Sequence, residues 1–351
     1  MRIIRPILYL LIILVGAFLV FLVYATLNDY RPREVLPQEI VNQPDILQDT
    51  SSLKLLIWNI GYAGLDKSMD FFYDGGAQMR PTPEGVHRNM EGIVSTLLPY
   101  RNYDFVLLQE VDLNSKRSYH LDQYQRLQEE FPGYHSYFAK NYEVFFVPIP
   151  LKEPMGKVES GLMTLSRFKP SQVERHAFPG NYSWPVKLFM LDRCFLVNRY
   201  TLASQKELVV INTHNSAYDD GSLRAGQMEY LKNYIVSEYE QGNYVIVGGD
   251  WNQTPYGIEP KLPGNLFDTE NLTYVEKDYP APGWTWAYDP SRPTNRRLKA
   301  PYDPGTTLTT IIDCFLLSPN FQLAEVLTLD LGFEYSDHQA VQLNVKLSHH
   351  P

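Results

Sequence analysis

The chain has 351 residues, 44% of them hydrophobic, enough apolar material for one large domain or two ordinary ones built around a conventional core. A formal charge of −9 and a pI near 5.4 argue against a protein that holds nucleic acid by a broad basic face, while leaving room for phosphate recognition through a metal and a few local cations. Cys194 and Cys314 lie far apart in separate apolar runs and match no metal-ligand spacing; they read as small core residues, with a disulfide between them as the alternative.

Residues 6–27 carry no charge, and 22 helical residues at roughly 1.5 Å each reach about 33 Å, enough to cross the hydrocarbon core of a bilayer. The segment is predicted to be a transmembrane helix. A cleaved signal peptide is the competing reading, but its apolar region would run to about 7–15 residues, and no small-x-small cleavage site follows Tyr24. Arg2 and Arg5 precede the helix and Arg31 and Arg33 follow it, a balance that gives a modest preference for a cytoplasmic N-terminus at residues 1–5. The expected arrangement is a single-pass signal anchor with everything after it outside the cytoplasm. Residues 28–53 are polar, include three prolines and show no sustained period, so they read as a tether that keeps the remainder within about 30 Å of the bilayer.

Residues 54–348 read as one catalytic α/β domain, with no second linker, no internal repeat and no low-complexity tract. Short runs rich in β-branched and aromatic residues recur at 55–60, 105–111, 161–168, 194–202, 208–213, 244–248, 309–317 and 340–345, and are predicted to be strands, many of them buried. Val86, Met90, Ile93, Val94, Leu97 and Leu98 recur at helical spacing, and 222–239 lacks breakers apart from Gly226, so two helices are expected. Strands that are apolar on both sides need cover on both faces, which points to sheets packed together with helices outside, a layered α/β sandwich.

Acidic, amide and imidazole groups fall at the ends of these strands. Asn59 closes Leu-Leu-Ile-Trp-Asn, Glu110 closes Val-Leu-Leu-Gln-Glu, His214 closes Val-Ile-Asn-Thr-His, and Asp250 and Asn252 follow Val-Ile-Val-Gly-Gly. Asp313 interrupts an apolar run, and Asp337 and His338 precede the last strand. Strand ends gathered at one edge of a sheet let a rigid scaffold hold groups from distant sequence positions together. Taken singly, each has a structural explanation: Asn59 as a turn residue, Glu110 as a solvated strand end, His214 as a hydrogen-bonded structural histidine, Asp250 and Asn252 as a strand-to-loop turn. Asp313 fits such a reading least, because a carboxylate in an apolar run needs a partner or a large pKa shift.

In order along the chain, Ile57-Trp58-Asn59, Gln109-Glu110, Thr213-His214, Gly249-Asp250-Trp251-Asn252, Ile312-Asp313 and Ser336-Asp337-His338 resemble the marks of the endonuclease/exonuclease/phosphatase superfamily, and 161–167 looks like its Gly-x-x-x-x-Ser-Arg strand. Asn-Ile-Gly-Tyr at 59–62, the aromatic segment 70–76 and Asp-x-x-Ser-x-Arg at 112–117 are similar to poorly characterised bacterial members. The resemblance implies a four-layered α/β sandwich, two packed mixed sheets flanked by helices, and magnesium-dependent cleavage of phosphate esters. It further implies that Asn59, Glu110 and Asp337 hold Mg²⁺, with Mn²⁺ as a substitute, a sparse oxygen set that suits an ion which keeps several waters. Under the same resemblance Asp250 orients or deprotonates the attacking water and Asn252 fixes it or the phosphate. His338, oriented by Asp313, and His214 donate hydrogen bonds to the phosphoryl oxygens; whether Asp250 or His338 accepts the proton stays open.

The acidic balance makes a nucleic-acid substrate the less favoured one, and Lys116-Arg117 and the cations of 292–299 are short enough to be solvated loops. Aromatic loops at 71–73, 145–148, 184–185 and 284–286 fit core packing, a substrate wall or contact with lipid headgroups. Since the membrane helix makes envelope components the commonest neighbours, the expected substrate is a phosphodiester or phosphomonoester of a lipid headgroup or inositol phosphate, acted on by a monomer. The alternatives are an extracytoplasmic nuclease and a non-catalytic binding protein of the same fold.

Overall fold

The computed structural model describes residues 4–40, 43–48, 52–217, 221–261, 266–270 and 272–348. It opens with α1 (Ile4–Leu27), which is long and apolar enough to cross a membrane, as a signal anchor or a signal peptide would be. Next come β1 (Val35–Pro37), β2 (Ile46–Leu47), β3 (Ser52–Asn59), α2 (Pro83–Leu97), β4 (Phe105–Asp112), α3 (Gln123–Glu130) and β5 (His135–Val147). These are followed by β6 (Gly156–Ser166), β7 (Gln172–Ala177), β8 (Cys194–Leu202), β9 (Glu207–His214), α4 (Ser222–Glu240) and β10 (Tyr244–Asp250). The last elements are β11 (Thr285–Ala287), β12 (Asn295–Arg296), β13 (Thr309–Thr310), β14 (Asp313–Leu317), β15 (Phe321–Thr328) and β16 (Val341–Leu347).

One sheet runs β1-β7-β8-β9-β10-β14-β11 with β2 beside β8, and the other runs β15-β16-β3-β4-β6-β5. Both are mixed: β3 with β4 and β9 with β10 are parallel, while β16, β6, β8 and β14 flank them antiparallel. Side chains alternate along each strand, so Leu55, Ile57, Phe105 and Leu107 meet Leu208, Val210, Ile246 and Phe315 between the sheets. The opposite faces are covered by helices: Leu56, Trp58, Val106 and Leu108 pack on Val86, Met90, Ile93 and Leu127 of α2 and α3, and Val209, Ile211, Val245 and Val247 pack on Met228, Leu231 and Ile235 of α4. This is the four-layered sandwich with a helix before it.

Local chemistry sets the helix starts. Thr82 caps α2, its hydroxyl accepting from the Gly85 amide at 3.1 Å with Pro83 in the first turn, and Asp122 caps α3, accepting from the Gln125 amide at 2.8 Å. Cys194 and Cys314 are free and buried.

Within 28–53, the stretch that composition suggested as a tether, residues 35–38 and 46–47 are tied to the domain. Val35 pairs with His176, Ile46 with Thr201, and the Gln38 side chain donates to the Phe138 carbonyl at 2.6 Å. Strands of three and two residues add to a sheet by backbone hydrogen bonds, which leave no apolar period in the sequence. The run 309–317 is likewise two strands: β13 pairs with β12 away from both main sheets, while β14 pairs with β10 from Asp313 onward.

At Gly249 the fold leaves no room for a side chain. Its φ is +148°, and a Cβ there would lie 2.0 Å from the Thr213 carbonyl oxygen of the neighbouring strand. Gly249→Ala should therefore destabilise the domain by about 1–3 kcal/mol or more, the scale of overpacking against backbone that cannot retreat. Chemical denaturation of the full chain checks this; an unchanged midpoint would mean that β9 and β10 separate freely.

Candidate active site

Parallel pairing aligns the carboxyl ends of β3 with β4 and of β9 with β10, and register does the rest: Asp250 stands opposite His214 on one side and Asp313 on the other. A register shift in β4 between Leu108 and Val111 leaves Glu110 at φ +55°, a conformation that re-aims its side chain and that sequence spacing does not report. The last group arrives with β16, preceded by Asp337 and His338. The Ser336 hydroxyl donates to the Asn59 carbonyl at 2.8 Å, and the Trp58 indole donates to the His338 carbonyl at 3.0 Å, fixing that turn to β3.

All eight residues singled out from the sequence converge. The Asn59 side-chain amide donates to Glu110 Oε1 at 3.3 Å and to Asp250 Oδ2 at 2.9 Å. Asp250 Oδ2 lies 3.5 Å from His214 Nε2 and 3.7 Å from His338 Nε2, and its Oδ1 accepts from the Asn252 amide at 2.9 Å. His338 Nδ1 is 2.8 Å from Asp313 Oδ2, and its Nε2 is 3.8 Å from Asp337 Oδ2. Asn252 sits at φ +51°, and its side-chain amide donates to the Asn215 carbonyl at 2.9 Å, which fixes the direction of the side chain.

The two imidazoles are driven apart. Burial lowers His214 well below the ordinary histidine value, and Arg193, His338 and Arg117 push it the same way, so it is a neutral ring. Burial acts in the same sense on His338, but Asp313, Asp337 and Asp250 outweigh it and raise this ring well above the ordinary histidine value. Asp337 is pushed up to about 7 by burial, against the pull of His338 and with repulsion from Glu110. Burial likewise lifts Asp313, with His338 opposing and Asp250 adding to the rise.

Buried carboxylates gathered in this way fit a hard divalent cation, whose charge would relieve the repulsion that Asp337 feels from Glu110. Asp250, Asp313 and His338 also present ligand atoms within 4.8 Å of one another, a buried group with metal-ligand chemistry. Within that group Nδ1 of His338 is committed to Asp313; of the residues expected from the sequence to hold the ion, Glu110 and Asp337 face the cavity, while the Asn59 side-chain oxygen accepts from the Gly61 amide at 3.0 Å.

These groups line a cavity of about 470 Å³. Its catalytic wall carries Glu110, His214, Asp250, Asn252, Asp337 and His338; its other wall is apolar, with Phe71, Val147, Pro148, Ile149, Val186 and Phe189. Of the short cationic clusters, Arg117 pairs with Asp112 and Arg296 donates to the carbonyls of Asp66 and Met69, and both side chains, with Arg297, also line the cavity. Of the aromatic loops, Trp286 packs on Trp251 in the core, whereas Tyr73 and Trp184 stay exposed at 41% and 55%.

Sequence reasoning missed two asparagines. The Asn295 side-chain amide meets His338 Nε2 at 3.0 Å, and Asn212 ties the sheets together beneath the site, accepting from Gln109 at 2.7 Å and donating to the Leu108 and Met163 carbonyls. Asn295 lies in a two-residue strand without an apolar flank, so nothing local marks it; Asn212, a polar residue between Ile211 and Thr213 in a buried run, carries the same signal that exposed Asp313.

The sequence profile of the endonuclease/exonuclease/phosphatase family matches residues 56–338. The chain belongs to that family. It is thus a phosphoesterase, a hydrolase of ester bonds with a buried Asp/His group, in a family that is typically metal-dependent. No curated protein matches the sequence. Among solved structures, the family member from Beutenbergia cavernae DSM 12333 superposes with a TM-score of 0.56 at 19% identity, over 85% of this chain and 72% of that one. ANGEL2, a 2′,3′-cyclic phosphatase, superposes with a TM-score of 0.55 at 15% identity over 88% and 99%. The human Nocturnin catalytic domain with bound sulfate gives 0.53 at 17% over 87% and 97%. At such identities the likeness is one of fold.

Proposed function

We propose that the protein hydrolyses a phosphate ester of a lipid headgroup or inositol phosphate outside the cytoplasm, as a phosphodiesterase or phosphatase, with Mg²⁺ held by Asn59, Glu110 and Asp337. The observation that carries this reading is the joining, in one cavity, of the Glu110–Asn59–Asp250–His338–Asp313 chain of contacts with an apolar wall, in a protein that begins with an apolar helix. When bound, the ion would polarise a phosphoryl oxygen and stabilise the leaving alkoxide.

The chain's own residues supply the rest. Water attacks phosphorus in line and the bond to the leaving oxygen breaks, with no covalent enzyme intermediate. Asp250, the carboxylate on which Asn59, His214 and His338 converge, orients this water and takes its proton. His338, whose ring Asp313 fixes through Nδ1 and whose carboxylate neighbours favour the protonated form, donates from Nε2 to the phosphoryl group in place of its contact with the Asn295 amide. His214 donates as a neutral ring, and Asn252 positions the water or a phosphate oxygen.

The test uses the full chain in detergent, offered phospholipids, inositol phosphates, single-stranded DNA and RNA with Mg²⁺ or chelator. Phosphate or headgroup release that stops with chelator is expected. Glu110→Gln should raise the half-saturating Mg²⁺ concentration about tenfold or more, the loss typical even of residues that only support a metal ligand. Salt-sensitive degradation of nucleic acid with inert lipids would replace this reading by a nuclease; metal binding without hydrolysis of any ester would replace it by a binding protein.

A further inference from the structure

The apolar wall of the cavity continues outside it, toward α1. Phe21 of the helix stacks on Phe189 at 5.8 Å between ring centroids and meets Phe145 at 5.7 Å and Phe146 at 6.4 Å, while Tyr24 meets Phe145 at 4.9 Å. The Trp184 indole donates to the Thr26 hydroxyl at 3.2 Å, and Leu22 and Ala25 are buried against the domain. The domain is therefore seated on the last two turns of the helix.

Helix length then fixes depth. Residues 5–20 are exposed, and 16 residues at roughly 1.5 Å each span about 24 Å, short of a hydrocarbon core of about 30 Å. An anchored α1 must bring part of 21–27 into the bilayer as well, and with it the aromatic surface that covers those residues. Around that surface are Leu151, 86% exposed, and Ile149 and Val186, each 47% exposed, beside Trp184; amphipathic tryptophan and apolar loop tips are what a headgroup layer receives. Ile149 and Val186 also line the cavity that holds Asp337 and His338.

We propose that this face, residues 145–151 with 184–189, lies in the headgroup layer of the leaflet that α1 enters, so that the active-site cleft opens onto the bilayer and draws a lipid phosphoester from it, the acyl part leaving along Ile149, Val186 and Phe189. The proposal rests on the lipid reading given under Proposed function and narrows it to substrates that stay in the membrane.

The full chain is reconstituted into phosphatidylcholine–phosphatidylglycerol vesicles whose acyl chains are brominated near the headgroup. Bromine should quench a component of the tryptophan emission that Trp184→Phe removes, since Trp58 and Trp251 are fully buried and Trp284 and Trp286 pack against Tyr239 and Trp251 on the α4 side of the domain. In plain vesicles Leu151→Asp should slow lipid hydrolysis at least about tenfold, the scale of withdrawing a leucine from an apolar phase. The same variant should leave hydrolysis of a monomeric dihexanoyl analogue of the same lipid unchanged. Absence of Trp184 quenching, or equal vesicle rates for wild type and Leu151→Asp, overturns the docked face while the lipid reading stands. Trp184 quenching with every lipid inert supports the docked face and removes the lipid reading.

Discussion

Asp250→Asn lowers turnover at least about a hundredfold with the fold intact, the scale of removing a positioned acid or base. The residue is nearly sealed from solvent and is the hub of the site: Asn59, Asn252, His214 and His338 all approach its carboxylate. Asparagine keeps the volume, so packing survives. What is lost is the charge proposed to take the water proton and one of two carboxylate oxygens, of which Oδ2 faces Asn59, His214 and His338 and Oδ1 faces Asn252. Initial rates beside thermal melts of both proteins measure the effect, and near-normal turnover in a well-folded variant would dismiss Asp250 as base. His338→Ala should cost a similar factor, and the double variant little more than the worse single one, because residues that act on one proton transfer do not add.

The strands that position these side chains were legible in sequence because they are buried on both faces and so read as unbroken apolar runs. Cys194–Leu202 and Tyr244–Asp250 emerge nearly as their residues suggest, and Asp313 announces itself by interrupting such a run. Strands with one wet face did not emerge: β15 is mostly exposed between Gln322 and Leu327, and β5 alternates half-buried with buried positions through aromatic and polar residues that no run-based pattern isolates. α3 has only eight residues, most of them polar, with Gln123 and Leu127 as its buried contacts. The site was legible for a related reason. Its residues terminate buried strands, where an unpaired polar group has no structural excuse, whereas Asn295 and the left-handed turn at Glu110 depend on tertiary pairing that leaves no local trace.

Asp112→Ala costs about 3–5 kcal/mol of stability, the range for breaking a buried ion pair from one side. The pair is closed to water: Arg117 Nη2 meets Asp112 Oδ1 at 2.9 Å, and their side chains are 7% and 0% exposed. Ser118 adds a hydrogen bond to the other carboxylate oxygen at 2.8 Å, and the guanidinium lies over the Tyr62 ring at 3.8 Å. Burial by itself would make Arg117 easier to deprotonate, yet Asp112 and Glu110 raise it above the ordinary arginine value, so removal of Asp112 strands a full charge in the protein. At roughly 2 °C per kcal/mol for a domain of this size, the melting temperature falls on the order of 6–10 °C. Asp112→Leu combined with Arg117→Met should recover most of the loss, since the charge then leaves with its partner. A single Asp112→Ala within 1 kcal/mol of wild type, taken as the negligible range for an exposed pair, would mean that water reaches the pair. Arg117 and Tyr62 both line the cavity beside Glu110, so the guanidinium charge stranded in Asp112→Ala should also weaken Mg²⁺ activation before the chain unfolds.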